Sequence, residues 1–191
     1  MGYSQYNEDD LYLPLLPEHG RLLDVGAGPV KQFSNSRALI ERGWEAVLVE
    51  GSPHYLLQLF EEYRDHERVQ LVHAVVHGGS QLGFAAFHYN DEMVSTISEQ
   101  NFEAWRDKAT FLGKYLTPVV PLQYVVDQFK PGFDFVSIDV EGRSADMITT
   151  AVAADPKVIC IEHDGRQDWI MEQAPGYRRI FRNGVNLVLA R

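Results

Sequence analysis

The sequence predicts one α/β domain, spanning residues 1–191, around a doubly wound, mainly parallel seven-stranded sheet. From residue 21 onward, short apolar runs alternate with helical stretches, and glycines follow the first of these runs. The length of 191 residues fits one domain, and 45% hydrophobic residues with 23% charged residues exclude an intrinsically disordered chain. In such a fold, helices cover both faces of the sheet and ligands bind at the carboxyl ends of the strands.

The first third of the chain supplies three strands and two helices. Residues 21–25 form an apolar run that ends at glycines, which is typical of a buried strand. Residues 34–36 can cap a helix, residues 46–50 predict the second strand, and Pro53 opens a second helix. Residues 69–76 are almost continuously apolar and predict one uninterrupted third strand.

The alternation breaks in an inserted region, residues 77–117. Residues 84–89 predict a hairpin strand there, and one helix is expected around residues 102–105. The remaining predicted elements are a helix ending near residue 129, a strand at 133–140, a helix to 153, a strand at 158–162, a short helix at 168–173 and a hairpin at 177–189. The hairpin, centred on Asn183 and Gly184, would add an antiparallel edge to the sheet.

Charge and composition exclude several classes of protein and leave the oligomeric state open. A net charge of −10 argues against nucleic acid as a partner. Cys160 is the only cysteine, which excludes an internal disulfide and a cysteine-built zinc site. No apolar run is long enough to cross a bilayer, and residues 1–10 are too polar and acidic for a targeting peptide. We therefore expect a cytoplasmic protein without a membrane partner.

A glycine turn and an acidic residue predict a nucleoside site. Asp24, Gly26 and Gly28 lie where the first strand meets the first helix, and Glu50 ends the second strand. A carboxylate in that position lies beside the turn and can bind a ribose diol. Ordinary turn geometry and a solvated strand-end glutamate are the alternatives. Lys31 occupies the third glycine position of the dinucleotide fingerprint, which argues against a nicotinamide oxidoreductase.

The order of these motifs resembles the FkbM-type S-adenosylmethionine-dependent methyltransferases, from residue 4 almost to the end. The segments that carry the resemblance are Ser4-Gln5 with Glu8-Asp9, Asp24-Val25-Gly26-Ala27 with Ser34-Asn35, Val49-Glu50-Gly51-Ser52-Pro53, residues 69–74, Ile138-Asp139-Val140-Glu141-Gly142 and residues 156–162. Two positions depart from the family pattern. Val30 stands where a second loop glycine is usual, and Ser144 where a glutamate is usual.

The resemblance implies S-adenosylmethionine as methyl donor, S-adenosylhomocysteine as product, and O-methylation of a hydroxyl on a sugar or other small-molecule acceptor. The implied cofactor-binding residues are Gln5, Asp24, Gly26, Ala27, Gly28, Asn35, Glu50, Ser52, Ala74, Val75 and Asp139. Residues 1–17 would fold over the cofactor. Residues 77–117 would shape the acceptor pocket, because insertions between core strands usually carry specificity.

The predicted catalytic residues are Asp139, Glu141 and His163, at the ends of the fourth and fifth main strands. Asp139 would orient the cofactor or the nucleophile, and His163 is the natural general base because its ordinary pKa is near neutrality. Alternatively, the two acids cap the next helix and His163 is a loop residue. The carboxyl groups of Asp139, Glu141, Glu162 and Asp164 also permit a Mg²⁺ or Ca²⁺ site, although no tight ligand spacing favours a metal.

A second hypothesis is a nonenzymatic one. The departures at Val30 and Ser144 motivate this alternative, a nucleoside-binding or interaction protein that kept the fold and lost turnover. Such a protein would bind the cofactor weakly, or bind it without forming a methylated product.

Overall fold

The computed structural model describes residues 2–90 and 92–191. Met1 and Asp91, which belong to the predicted N-terminal segment and inserted region, lie outside the described residues. The strands are β1 (Arg21–Val25), β2 (Glu45–Glu50), β3 (Val69–His73), β4 (Val75–His77), β5 (Gly83–Asn90), β6 (Phe111–Pro121), β7 (Phe135–Ile138), β8 (Val158–Glu162), β9 (Arg178–Arg182) and β10 (Asn186–Ala190). The helices are α1 (Glu8–Tyr12), α2 (Arg37–Glu41), α3 (Pro53–Tyr63), α4 (Glu99–Trp105), α5 (Leu122–Gln128), α6 (Ile148–Ala153) and α7 (Gln167–Gln173).

Seven strands form the main sheet in the order β3-β2-β1-β7-β8-β10-β9. Strands β3, β2, β1, β7 and β8 pair in parallel, whereas β10 runs antiparallel to both β8 and β9. The predicted fold class, a mainly parallel sheet with an antiparallel C-terminal part, is therefore confirmed. The strand order reverses between β1 and β7, so the carboxyl ends of these strands border a crevice.

Alternating side chains of the main sheet build a hydrophobic core on each of its faces. On β1, Leu23 and Val25 pack in one core, whereas Leu22 packs in the other, because successive side chains of a strand point to opposite faces. The second core includes the fully buried Trp44, whose indole N–H donates to the Glu18 carbonyl oxygen at 3.2 Å. The parallel strands are thus buried on both sides, which explains their apolar sequences.

The predicted single strand over residues 69–76 is wrong. β3 ends at His73, the Ala74 N–H donates to the Glu50 carbonyl oxygen at 3.2 Å, and the chain then leaves the main sheet. β4 pairs instead with β6, which also pairs with β5 in a separate three-stranded sheet of order β4-β6-β5. The break occurs because β2, the neighbour of β3, ends at Glu50 and offers no further partner.

The N-terminal segment packs against the C-terminal hairpin and the loop before α2. Glu8 Oε1 accepts hydrogen bonds from the side-chain amides of Asn186 at 2.8 Å and Asn183 at 3.2 Å. The buried Tyr12 hydroxyl donates to the Asn35 carbonyl oxygen at 2.6 Å. None of the described helices combines the length and the apolar character that a membrane span requires.

Candidate active site

A cleft of about 850 Å³, a volume that includes its part open to solvent, lies at the carboxyl ends of β1, β2 and β7. Residues of the second sheet and of the loop that follows β5 also line it. Eleven residues predicted from the sequence line this one cleft: Asp24, Gly26, Ala27, Gly28, Asn35, Glu50, Ser52, Ala74, Val75, Asp139 and Glu141. Apolar side chains with a few polar groups line it, as is typical of small-molecule and cofactor sites.

The turn after β1 is fixed between the two neighbouring strands. The N–H groups of Gly26 and Ala27 donate to the Val49 carbonyl oxygen at 2.9 and 3.1 Å. Gly26 has a φ of +79°, and a Cβ atom there would collide with the Asp139 carbonyl oxygen. Glycine is required at this position by both the backbone conformation and the close approach of β7.

Glu50 closes the glycine turn from the end of β2. The side chain is buried, its Oε2 accepts from the Gly28 N–H at 2.8 Å, and its Oε1 accepts from the Ser52 N–H at 2.6 Å. Burial raises the pKa of Glu50, and these amide hydrogen bonds oppose the rise because they stabilise the carboxylate. Each oxygen retains a lone pair that can accept a further hydrogen bond from a ligand hydroxyl.

Two buried polar atoms of cleft residues have no hydrogen-bond partner within the described chain. They are Oδ2 of Asp24, a residue that is 1% exposed, and Oγ of Ser52, which is 2% exposed. Burial raises the pKa of Asp24, and hydrogen bonds with Ser36 and Ser137 oppose the rise. Buried polar groups almost always form hydrogen bonds, so these two atoms fit a cleft in which a polar ligand supplies the missing partners. The residues present therefore fit a nucleoside cofactor with an ammonium group.

Four carboxyl groups gather at the ends of β7 and β8. Burial, followed by repulsion from neighbouring carboxylates, raises the pKa of Asp139 to about 7, of Glu141 to about 8 and of Glu162 to about 9. Asp164 shifts in the same direction, also chiefly through burial. The nearby guanidinium groups of Arg143 and Arg166 pair instead with Asp146. Within residues 2–90 and 92–191, no group of three or more His, Cys, Asp or Glu side chains is placed to hold a metal ion.

Glu141 connects the main sheet to the inserted region. Its backbone has a φ of +54°, and its carbonyl oxygen accepts from the Thr96 hydroxyl at 2.7 Å. The side-chain Oε2 accepts from the Asn101 amide at 3.3 Å. The end of β7 and the loop before α4 are therefore held as one wall of the cleft.

Two predicted site residues, His163 and Gln5, do not line the cleft. His163 is buried, and the Gly165 N–H donates to its Nδ1 at 3.0 Å. Nε2 consequently carries the proton and faces the Asn183 carbonyl oxygen at 3.2 Å, so backbone groups occupy both ring nitrogens. Gln5 is exposed, and no described residue of the N-terminal segment contributes to the lining.

The two departures from the family pattern leave the cleft open. Val30 packs against the core that contains Tyr12 and is not a lining residue. Ser144 is fully buried, its Oγ accepts from the Val140 N–H at 2.9 Å, and it donates to Glu162 Oε2 at 3.0 Å. Through these two hydrogen bonds, Ser144 connects the turn after β7 to the end of β8.

Sequence reasoning did not assign the other lining residues to the site, and most of them lie outside the motifs. They are Val25, Pro29, Phe33, Gly51, Tyr55, Val76, Phe87, Glu92, Met93, Ser95, Thr96, Ile97 and Val140. Phe87 is buried and contacts Tyr115 edge-on, but it belongs to the apolar run of residues 84–87, in which no alternation marks the side chain that faces the cleft. The loop from Glu92 to Ile97 has no periodic signal.

A seven-stranded sheet of this order, with a glycine turn after its first strand and an acid ending the second, defines a Rossmann-like methyltransferase fold of class I. The family model described as the methyltransferase FkbM domain matches residues 24–184, so the chain belongs to that family and is a methyltransferase. This confirms the resemblance stated from the motifs. No curated protein matches the chain in sequence.

Solved structures share the architecture at low sequence identity. A protein described as an rRNA methylase from Clostridium thermocellum has a TM-score of 0.54 at 8% identity, over 98% of this chain and 95% of that one. A protein described as a methyltransferase from Pseudomonas syringae has a TM-score of 0.48 at 15% identity, over 98% of both chains. A TehB-like SAM-dependent methyltransferase from Corynebacterium glutamicum has a TM-score of 0.48 at 14% identity, over 96% of this chain and 86% of that one. The first of these likenesses supports the fold alone.

Proposed function

We propose that the chain uses S-adenosylmethionine to methylate a hydroxyl group of a small metabolite, such as a sugar. The observation that carries the proposal is the polar base of the cleft. There, the buried Glu50 spans the N–H groups of Gly28 and Ser52, beside the unpartnered Oδ2 of Asp24. Membership of the FkbM family supports the hydroxyl as acceptor.

Each group at this base has a proposed task in holding the cofactor. Glu50 would accept hydrogen bonds from the ribose hydroxyls, and the free Asp24 oxygen would accept one from the amino acid ammonium group. Ala74 and Val75 would pack against the adenine at the point where the chain leaves the main sheet. When bound, the cofactor supplies a methyl group that is activated by the positive charge on its sulfur.

Asp139 is the proposed general base, in place of His163. The hydroxyl oxygen must lose its proton as it bonds to the methyl carbon, and a carboxylate at the cleft can take that proton. With a pKa raised to about 7 by burial and by Glu141, Asp139 can both accept and release a proton near neutral pH. The apolar side chains of Phe87, Met93 and Ile97, which line the cleft, would exclude water from the site.

Thermal unfolding with and without S-adenosylhomocysteine tests the cofactor assignment. A ligand at about one hundred times its dissociation constant stabilises the folded state by about 2.7 kcal/mol. For a domain of this size we expect Tm to rise by about 5–10 °C. NAD serves as the control and should leave Tm unchanged. No rise with millimolar S-adenosylhomocysteine would contradict the proposal.

A methyl-transfer assay separates the enzyme from the nonenzymatic alternative. The protein is incubated with methyl-labelled S-adenosylmethionine and hydroxyl-bearing small molecules, and labelled products are identified by mass spectrometry. We expect label on oxygen, and the Asp139→Asn variant should bind the cofactor but form little product. Cofactor binding by the unaltered protein without any labelled product would favour the binding-protein hypothesis.

A further inference from the structure

Phe33 combines an aromatic side chain with a left-handed backbone beside the cleft. Its φ is +64°, a conformation that is rare for a residue with a large side chain. The residue lines the cleft and remains 36% exposed. It belongs to none of the hydrophobic core clusters of the described residues. Core packing therefore does not account for an aromatic residue in this conformation.

Hydrogen bonds on both sides of Phe33 hold its loop in place. Before it, the Gly28 N–H donates to Glu50 Oε2 at 2.8 Å. After it, the side-chain amide of Asn35 donates to Ser137 Oγ on β7 at 3.2 Å. An unfavourable backbone conformation persists only where the surrounding structure imposes it, and such residues cluster at sites that bind ligands.

The proposed position of the cofactor brings its sulfur atom to this loop. In S-adenosylmethionine, the sulfur joins the ribose to the amino acid chain. Because the ribose is assigned to Glu50 and the ammonium group to Asp24, the sulfur must lie between them, across the glycine turn that ends at Gly28. Phe33 belongs to the loop that continues from this turn, and it lines the same cleft.

An aromatic ring in this position distinguishes a cation from a neutral molecule. The face of the ring carries a negative partial charge and attracts cations. The sulfur of S-adenosylmethionine is positively charged, whereas that of S-adenosylhomocysteine, which has lost the methyl group, is neutral. None of the described residues that line the cleft is Lys, Arg or His, so no cationic side chain of the lining competes for the ring.

We propose that the ring of Phe33 packs against the sulfonium group of S-adenosylmethionine and makes the cleft bind this methyl donor more tightly than S-adenosylhomocysteine. The inference rests on the proposed function, because it concerns the cofactor of that same reaction. The strained backbone holds the ring in place before the cofactor binds, which reduces the cost of ordering it. Weaker binding of the product would favour its release after each methyl transfer.

Calorimetric titration with S-adenosylmethionine and S-adenosylhomocysteine, each added separately, tests this role. The two ligands differ by one methyl group and one positive charge. We expect the unaltered protein to bind S-adenosylmethionine more tightly. Phe33→Leu keeps an apolar side chain and should raise the dissociation constant of S-adenosylmethionine about fivefold or more relative to that of S-adenosylhomocysteine. Phe33→Tyr retains the face of the ring and should keep the original ratio.

Phe84→Leu is the matched control, because it removes an aromatic ring that is 74% exposed on β5 and does not line the cleft. The ratio of the two dissociation constants should not change in this variant. If the unaltered protein binds neither ligand, the proposed function itself is contradicted. If it binds both with equal affinity, or if Phe33→Leu leaves the ratio unchanged, only the role of Phe33 is overturned.

Thermal unfolding without ligand tests the strained backbone. Phe33→Ala and Phe33→Gly both remove the ring, but only alanine retains a Cβ atom, which is unfavourable at a positive φ. We expect the glycine variant to have a Tm about 2–4 °C above that of the alanine variant. Equal Tm values would show that the backbone at Phe33 is relaxed, and would overturn the proposal that strain holds the ring in place.

Discussion

The role of a buried carboxylate in this protein depends on what its two oxygens already bond. Glu50 and Glu141 both lie in the cleft, and burial raises the pKa of each. Backbone amides hold both oxygens of Glu50 in a fixed orientation, which suits the recognition of a ribose diol. Glu141 accepts one hydrogen bond, from Asn101, and burial together with repulsion from Glu162 raises its pKa, which favours its protonated form.

Replacing Glu50 with alanine should weaken binding of S-adenosylhomocysteine. The change removes the proposed hydrogen bonds to ribose, and bonds to a charged group contribute about 1.5–3 kcal/mol each. We therefore expect the dissociation constant, measured by calorimetry, to rise about 10- to 100-fold. The matched control is Glu45→Ala at the opposite, exposed end of β2, where affinity should not change. An unchanged affinity in the Glu50 variant would mean that ribose binds elsewhere.

The two glycines of the turn should respond differently to alanine. Gly26→Ala places a Cβ atom against the Asp139 carbonyl oxygen, and we expect a loss of about 2–4 kcal/mol in the free energy of unfolding. Gly28 also has a positive φ, but its nearest neighbour would be the Gly26 carbonyl oxygen at 3.8 Å. Gly28→Ala should therefore cost only about 1–2 kcal/mol. Urea unfolding without ligand measures the free energy of unfolding of both variants. Equal losses in the two would contradict the close contact between Gly26 and the Asp139 carbonyl oxygen.

At the scale of elements, His163 joins the end of β8 to the turn between β9 and β10. Its two ring nitrogens bond the Gly165 N–H and the Asn183 carbonyl oxygen, so His163→Ala leaves both backbone groups without a partner. We expect a loss of about 1–3 kcal/mol in the free energy of unfolding, with turnover at saturating cofactor unchanged. Normal stability combined with lost turnover would instead restore His163 as the general base.

The elements that sequence could predict are those with local signals. β1, β2, β7 and β8 follow from short apolar runs that end at glycine or acidic residues. The segments at the ends of β1, β2, β3 and β7 contain the eleven predicted residues that line the cleft. The split between β3 and β4 has no such signal, because residues 69–76 contain no glycine or proline and the break depends on where β2 ends. Likewise, the orientation of the His163 side chain depends on its hydrogen bond with the Asn183 carbonyl group, which is distant in sequence and leaves no local signal.

At the scale of the whole molecule, the second sheet and the main sheet divide the tasks of the cleft. The main sheet supplies the polar base at the ends of β1 and β2, while the second sheet and its loop supply Phe87, Met93 and Ile97. Both parts meet at the carboxyl groups that follow β7. A cluster of uncompensated acids at this junction is tolerated because its members can hold protons, and this makes the stability of the entire fold depend on pH.

The free energy of unfolding should fall as the pH rises from about 6 to about 9. Burial raises the pKa of Asp139 to about 7 and of Glu162 to about 9 in the folded protein, while the unfolded chain releases these protons at about pH 4–5. Between these limits the folded state binds more protons than the unfolded state, so raising the pH favours unfolding. Each proton that only the folded state binds lowers the free energy of unfolding by at most about 1.4 kcal/mol per pH unit.

Urea unfolding of the unaltered protein and of the Glu162→Gln variant across this pH range identifies the group that makes the free energy of unfolding depend on pH. The amide cannot ionise and still offers an oxygen to the Ser144 hydroxyl, so the variant should lose less stability at high pH than the unaltered protein. Glu61→Gln should keep the original slope because its side chain is exposed on α3. The ion-paired Asp146, whose pKa is lowered by Arg166 and Arg143 against the effect of burial, contributes only at lower pH. A stability that is constant or rises between pH 6 and 9 would show that the buried acids are charged in the folded protein, and that their repulsion is balanced by other groups.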